Sequence, residues 1–228
     1  MNQIIIAIDG HSSTGKSTLA KALAKSLTYA YIDTGAMYRA ISLYALRKKY
    51  FVDGVLNSEA LIEDIDAIEI SFVLDKEAKS VVCLNGEQVE SEIRGMEVSN
   101  CVSKVSAIAE VRDLLVAQQQ LMGQAGAVVM DGRDIGTVVF PNAELKLFMT
   151  ASESIRAERR YNELVAKGDS VSLEEVRRNI SERDYADTHR TIAPLIQAED
   201  AVVLDNGNLT PDEQLDWVLK KVKNIIAL

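Results

Sequence analysis

Gly10-His11-Ser12-Ser13-Thr14-Gly15-Lys16-Ser17, with Thr18 behind it, sets two glycines separated by four residues directly before a lysine and a serine. That spacing suits a loop that wraps a polyphosphate. A helix starting at the loop leaves backbone N–H groups without intrahelical partners, and its dipole adds partial positive charge there. Glycines let the chain close around phosphate oxygens with no Cβ in the way. Lys16 would reach the outer phosphates, and Ser17 would offer its hydroxyl to Mg²⁺. The plainer alternative is a strand-to-helix turn that happens to hold two glycines. The flanks favour the loop. Ile4-Ile5-Ile6-Ala7-Ile8 reads as a fully buried strand, and Ser17 to Leu27, rich in Leu, Ala and Lys, as a helix.

A second group of charges, Asp131-Gly132-Arg133-Asp134, follows the apolar run Ala127-Val128-Val129-Met130 without a break. Such a run reads as a central strand of a parallel sheet. In an open parallel sheet the ligand lies beyond the carboxyl ends of the strands. Three charges at that place therefore point to chemistry rather than turn decoration. Arginines recur further on. Arg156, Arg159 and Arg160 share one face of a helix that Ser152 caps and that runs to about Lys167. Lys167-Gly168-Asp169-Ser170 breaks the chain, and Ser172 with Glu175 forms a capping box for another helix. On it Arg183, Asp187 and Arg190 again share a face. Either helix alone reads as a salt-bridged solvated surface. Two such helices joined by a glycine turn, in a net acidic chain, suit a lid that closes over an anion. Arg39, beside Tyr38 near a helix start, opposes the dipole. It reads equally as a surface arginine or as an anion clamp. Ser103 and Arg112 flank apolar stripes, and in isolation they read as solvated.

The elements that must position these residues alternate. Tyr29-Ala30-Tyr31-Ile32 is a short strand before Asp33-Thr34-Gly35, and Met37, Ala40, Ile41, Tyr44 and Ala45 then recur at helical spacing. From Ile68 to Ile93 the pattern turns antiparallel. Ile68 to Val73 alternates, Ser80 to Leu84 is a second strand, and Asn85-Gly86 is a two-residue hairpin signal. Glu97 to Met122 is helical in two pieces, Leu145 to Met149 and Val202 to Asp205 are strands, and Thr210-Pro211-Asp212-Glu213 starts a last helix carrying Trp217. The alternation predicts an α/β fold of the P-loop type: three layers, α/β/α, around a central parallel sheet, with a small inserted antiparallel β subdomain and a helical lid.

With 228 residues, 47% of them hydrophobic, the chain suits one domain with a sizeable core plus a small insertion. A net charge of −9 argues against binding polymeric nucleic acid. No apolar run approaches a membrane span and the start reads as a strand rather than a signal peptide, so a cytoplasmic chain without membrane contact is expected. Cys83 and Cys101 lack metal or redox spacing and read as ordinary buried thiols. No stretch reads as a coiled coil, and a monomer is expected.

A phosphate loop alone does not separate a kinase from a GTPase switch or a transport ATPase. No Asn-Lys-x-Asp base reader is present, and a motor would usually be larger. The separated arginines 39, 133, 156, 159, 160, 183 and 190 are predicted to converge on one crevice, which suits a second phosphorylated ligand and a migrating phosphoryl group. No catalytic base stands out. An alcohol acceptor would call for one, but a phosphomonoester, with a second pKa of about 6, is already largely dianionic at neutral pH.

Tyr31-Ile32-Asp33-Thr34-Gly35-Ala36-Met37-Tyr38-Arg39, Glu92-Ile93-Arg94 leading to Val98-Ser99-Asn100, Asp131 through Pro141, and Ala193-Pro194-Leu195 resemble the bacterial cytidylate kinases over nearly the full length. The phosphate loop is shared with many enzymes, whereas the first and third of these stretches together are specific. The resemblance implies transfer of the γ-phosphoryl of ATP to CMP or dCMP with Mg²⁺, in a single nucleoside monophosphate kinase domain over 1–228. It also implies a monophosphate-binding part over about 34–122, including the β insertion at about 68–93, and a lid over about 152–190. Gly10 to Thr18 would hold ATP, with Lys16 catalytic. Ser17 would help hold the metal and Asp131 would orient water on it. Arg39, Arg133 and Arg190 would grip the CMP phosphate, near Tyr38. Thr34, Arg183 and Asp187 would meet the ribose, and Ser103, Arg112 and Asp134 would read cytosine. Arg156, Arg159 and Arg160 would cover the transferring phosphate. His11 replaces a frequent proline, Thr34 a frequent serine, and Tyr185, Ala186, Thr188 and His189 make the lid less charged than is common. His11 is expected to shape the loop or face solvent.

Overall fold

The computed structural model describes residues 3–74 and 80–227. The chain divides into two compact units. One comprises the described residues up to Asp33 and from Gln119 onward, and the other is Thr34–Gln118.

The elements of the chain run β1 (Ile5–Gly10), α1 (Lys16–Leu27), β2 (Ala30–Asp33), α2 (Thr34–Arg47), β3 (Phe51–Val52), β4 (Val55–Leu56) and α3 (Ser58–Glu63). Then come β5 (Ile70–Leu74), β6 (Ser80–Leu84), β7 (Glu87–Gln88), α4 (Met96–Val105), α5 (Ala109–Gly123) and β8 (Val128–Gly132). The rest is β9 (Leu145–Thr150), α6 (Glu153–Ala166), α7 (Leu173–His189), β10 (Val202–Asp205) and α8 (Pro211–Ile226).

In the first unit the five strands β10-β9-β1-β8-β2 form one parallel sheet with β1 in the middle. Ile4, Ile6 and Ile8 alternate onto one face, where they meet Leu19, Leu23 and Ala24 of α1 and Val218 and Val222 of α8. Trp217 is partly buried at the edge of that cluster. The register sets Ile8 against Asp131 and Asp9 against Gly132, while Asp33 of β2 lies against Asp131. Three carboxylates thus stand at the carboxyl ends of adjacent strands. Helices α6 and α7 start as their caps dictate, with Ser152 accepting from Ile155 N–H and Ser172 pairing with Glu175 in a capping box.

The second unit holds α2, α3, α4 and most of α5 with two small antiparallel sheets. One is the expected insertion, β5-β6-β7, and residues 75–79 of the predicted stretch lie outside the described residues. Asn85 and Gly86 have φ of 50° and 80°, as a type I′ turn requires. The other sheet, the β3–β4 hairpin, was not expected. It turns on Asp53-Gly54, with φ of 49° and 74°, the same dipeptide signal in strands of two residues each. Cys83 and Cys101 are buried, unbridged thiols of this unit.

Gly10 ends β1 at φ 145°, paired in register with Met149 of β9. A Cβ there would sit on the Met149 carbonyl oxygen. Gly10→Ala should therefore lower the urea unfolding free energy by about 3 kcal/mol through forced displacement of packed backbone. Gly168→Ala, at φ 91° with open space around it, should cost only about 1 kcal/mol of left-handed strain. Equal losses in the two denaturation curves would contradict this account.

Candidate active site

The loop that leaves β1 is held through its carbonyl groups. Lys16 Nζ donates to His11 O at 2.5 Å and to Thr14 Oγ1 at 3.3 Å. Arg156 Nη1 donates to Ser12 O at 3.2 Å, and Asn206 Nδ2 donates to Thr14 O. A trans peptide carries its N–H opposite its C=O. Fastening these carbonyls therefore also fixes the direction of the amides that follow them. Gly15, at φ 92°, is the N-cap of α1, and having no side chain it leaves the first amides of the helix to a ligand.

A second layer holds the loop's holders. Arg159 donates from Nη1 to Asn206 Oδ1 at 3.1 Å and from Nη2 to Asn206 O at 3.0 Å. Asp184 of α7 accepts from Arg156 Nη1 at 2.6 Å and from Ser12 Oγ at 3.5 Å, and His11 Nδ1 lies 3.3 Å from it. His11, expected to shape the loop or face solvent, turns its side chain toward α7 instead of standing free in solvent. Arg160 instead pairs with Glu163 on its own helix at 3.0 Å. Asp184 and Asn206 escaped the sequence reading. Asn206 directly follows β10, so the strand-end rule that marked Asp131 could have found it.

Ser17 Oγ donates to Asp131 Oδ2 at 2.9 Å, and Tyr31 OH donates to Asp131 Oδ1 at 2.8 Å. Burial, and then Asp33 alongside, push the Asp131 carboxyl above its ordinary range. Lys16 is pulled down to about 7, first by burial and then by the guanidinium of Arg133.

Arg133 Nε donates to Asp187 Oδ2 at 2.8 Å. Burial alone would raise Asp187, yet Arg133, Arg183 and Arg190 together hold it below its ordinary range. Arg190 Nε donates to Ala193 O at 2.8 Å, and Leu195 N–H donates to Asp187 O at 2.8 Å. The Ala193-Pro194-Leu195 stretch thus folds back to brace the end of α7. Arg190 Nη2 stands 3.6 Å from Asp134 Oδ1. So Lys16, Ser17, Asp131, Arg133, Asp134, Asp187 and Arg190, far apart in sequence, are gathered at one end of the sheet.

In the second unit Thr34 opens α2 and is buried, Tyr38 is buried, and Arg39 is half-buried on the same helix. Arg112 is 2% exposed, which overturns its reading as a solvated arginine. Its Nη1 donates to Ser106 O at 3.3 Å, and its guanidinium carbon lies 5.6 Å from the centre of the Tyr38 ring. Ser106 Oγ in turn donates to Ser103 O at 3.2 Å. Tyr38, Ser103 and Arg112 are therefore linked within this unit.

A parallel sheet whose central strand ends in an amide-lined loop, with a lysine, a hydroxyl and a carboxylate at its mouth, defines a nucleotide-binding enzyme of the phosphate-loop class. The family model described as cytidylate kinase matches residues 6–224, and the chain belongs to that family. It is 55% identical to the cytidylate kinase of Flavobacterium johnsoniae, over 100% of both chains, and 55% identical to that of Parabacteroides distasonis, again over 100% of both. Among solved structures, shikimate kinase from Bacteroides thetaiotaomicron has a TM-score of 0.50 at 14% identity, covering 100% of each chain, a likeness of fold alone.

The depressed lysine gives a testable proton count. A bound polyphosphate favours the ammonium form, so ATP binding should draw Lys16 back above its unliganded value of about 7. Near pH 8, calorimetry in buffers of different ionisation enthalpy should show uptake of about one proton per nucleotide, fading below pH 6 where Lys16 is already charged. Lys16→Arg, charged throughout, should abolish the uptake. A wild-type uptake that does not differ between pH 6 and pH 8 would refute it.

Proposed function

We propose that this chain transfers the γ-phosphoryl group of ATP to CMP or dCMP, giving ADP and CDP or dCDP. The observation that carries this reading is Arg133. It is held by Asp187 among the acceptor-side arginines, yet it lies near enough to the loop lysine to depress its pKa. A cation assigned to the acceptor lying close to one assigned to the donor suits a phosphoryl group passing between two phosphate anions.

Gly10 to Thr18 take the ATP phosphates. Lys16, Arg133, Arg156, Arg159 and Arg160 neutralise the migrating charge. Arg39, Arg133 and Arg190 grip the acceptor phosphate near Tyr38, while Thr34, Arg183 and Asp187 meet the ribose. The acceptor is already a dianion, so no side chain has to remove a proton and the work is positioning and charge neutralisation. The Ser17 hydroxyl and Asp131 carboxylate lie together at the loop mouth, an oxygen donor set that fits Mg²⁺. Ser17 would hold the ion directly and Asp131 through water, and the ion would offset charge on the ATP phosphates. The residues over about 34–122, with the β insertion at 68–93, form the monophosphate-binding part, and those over about 152–190 the lid. We place the chain in the cytoplasm as a monomer; among the described residues no helix is long and apolar enough to cross a membrane.

Cytosine offers an exocyclic amino donor beside the N3 and O2 acceptors. Asp134 accepts from the amino group, and Arg112, with Ser103, serves the acceptors. Ligand binding then replaces the 3.6 Å Asp134–Arg190 contact, giving the carboxylate to the base and the guanidinium to the phosphate. Uracil would set a carbonyl against Asp134.

In a coupled assay with saturating ATP and Mg²⁺, kcat/KM for CMP or dCMP should exceed that for UMP by about 100-fold or more. Asp134→Asn should shrink that ratio at least about tenfold. CMP turned over no better than AMP, GMP or TMP would reject the assignment.

A further inference from the structure

The turn that carries Asp134 is capped from a different strand. Residues Ile135–Val139 form a single wide helical turn, with the Val138 and Val139 N–H groups both donating to Asp134 O. Asp134 is its N-cap, at φ −146° and ψ 26°, and its side chain makes no capping bond to that turn. An aspartate at this position ordinarily spends its carboxylate on the amides just ahead of it. Here Asp9 takes the first two amides of the turn, the second of which, Gly136 N–H, is one an N-cap carboxylate would reach. Its Oδ1 accepts from Ile135 N–H at 2.8 Å and its Oδ2 from Gly136 N–H at 2.7 Å.

Asp9 can do this because of its register. It is the last residue of β1 but one, alongside Gly132 of β8, so its carboxylate sits under the turn that β8 runs into. It is 5% exposed. Burial raises it to about 6 even against the two amide donors, which leaves it ionised and accepting at neutral pH. The neighbouring carboxylate of Asp134 is turned instead toward Arg190.

We propose that Asp9 is a positioning residue for base recognition. By capping the Ile135–Val139 turn in place of Asp134, it keeps the Asp134 carboxylate presented to the substrate's exocyclic amine. The two acids divide one task that a single N-cap aspartate would monopolise. Without Asp9, Asp134 is drawn into capping its own turn, and the discrimination it provides is lost before binding at the phosphate loop is. Asp9 itself touches no substrate. This inference rests on the assignment of Asp134 to the pyrimidine amino group.

Asp9→Asn tests it, since one of the two amides then meets an amide nitrogen instead of an acceptor. Gly136→Ala disturbs the same joint from the other side. Its Cβ would lie 3.3 Å from Asp9 Oδ2 and 3.1 Å from Lys146 Cδ, and the substituted residue lies outside the phosphate loop. In both variants the CMP to UMP ratio of kcat/KM should fall at least about tenfold, while KM for ATP stays within about threefold of wild type. A merely destabilised enzyme would lose active molecules for both substrates alike and keep its ratio. Ratios within about twofold of wild type, whatever the loss of rate, overturn the proposal, as does a KM for ATP that rises as steeply as KM for CMP. Gly136→Ala decides by the same criteria should the buried Asp9→Asn chain not fold. Wild-type enzyme in the same panel separates the two levels. No CMP preference there sinks the substrate assignment, whereas a wild-type preference retained in the variants sinks only the role of Asp9.

Discussion

Charge placed out of water at one end of a parallel sheet is the constraint on which this structure depends. The registers of β1, β8 and β2 stack Asp9, Asp131 and Asp33 at neighbouring strand ends, all buried. An isolated buried carboxylate is too costly to persist ionised, so each needs donors or cations. Asp9 has two backbone amides, Asp131 has a serine and a tyrosine hydroxyl, and Lys16 opposes the rise of both carboxyls. The cations are crowded in turn, and Lys16 loses affinity for its proton to burial and to Arg133. Such a site is under electrostatic tension until a polyanion enters, and the entering phosphates relieve the crowding on the cationic side.

The same logic explains why so many side chains bond the loop's own backbone or the groups that hold it. Backbone amides bind phosphate only if the peptide planes are turned the right way, and isolated loop peptides are free to rotate. Arg156, Asn206 and Lys16 remove that freedom by taking the carbonyls. Arg159 and Asp184 then fix Asn206 and Arg156. The arrangement resembles a metal site with a supporting shell, except that the supported groups are main-chain amides.

Much of this was legible in the sequence, and what was not follows a pattern. The loop, the strand before it and the charges after Met130 announce themselves because motif and strand-end rules are local. Asn85-Gly86 declared its hairpin for the same reason. Asp53-Gly54 carried an identical signal, but two-residue strands gave no alternation to confirm it. Asp184, Asn206 and the partners of Asp9 were hidden because their roles depend on register and helix contact rather than on their own neighbours. Arg112 misled in the opposite sense. An arginine beside an apolar stripe is usually solvated, and nothing local reveals the Tyr38 ring that receives it.

Helix α7 shows why these hidden contacts matter for a reaction without a proton to remove. Asp184 and Asp187 lie three residues apart, on nearly one face. The first bonds Arg156 and Ser12 at the donor loop, and the second bonds Arg133 and lies near Arg183 and Arg190. One rigid element therefore sets the distance between the groups assigned to the donor phosphate and those assigned to the acceptor. Where catalysis is positioning and charge neutralisation alone, that distance governs the rate more than any single side chain does, because a misplacement of about an ångström can cost about 100-fold. A helix short of its aspartates would still be a helix, and its cap and its packing against α6 would survive. The loss would be in the alignment of two anions that repel each other unless buried cations hold them in line.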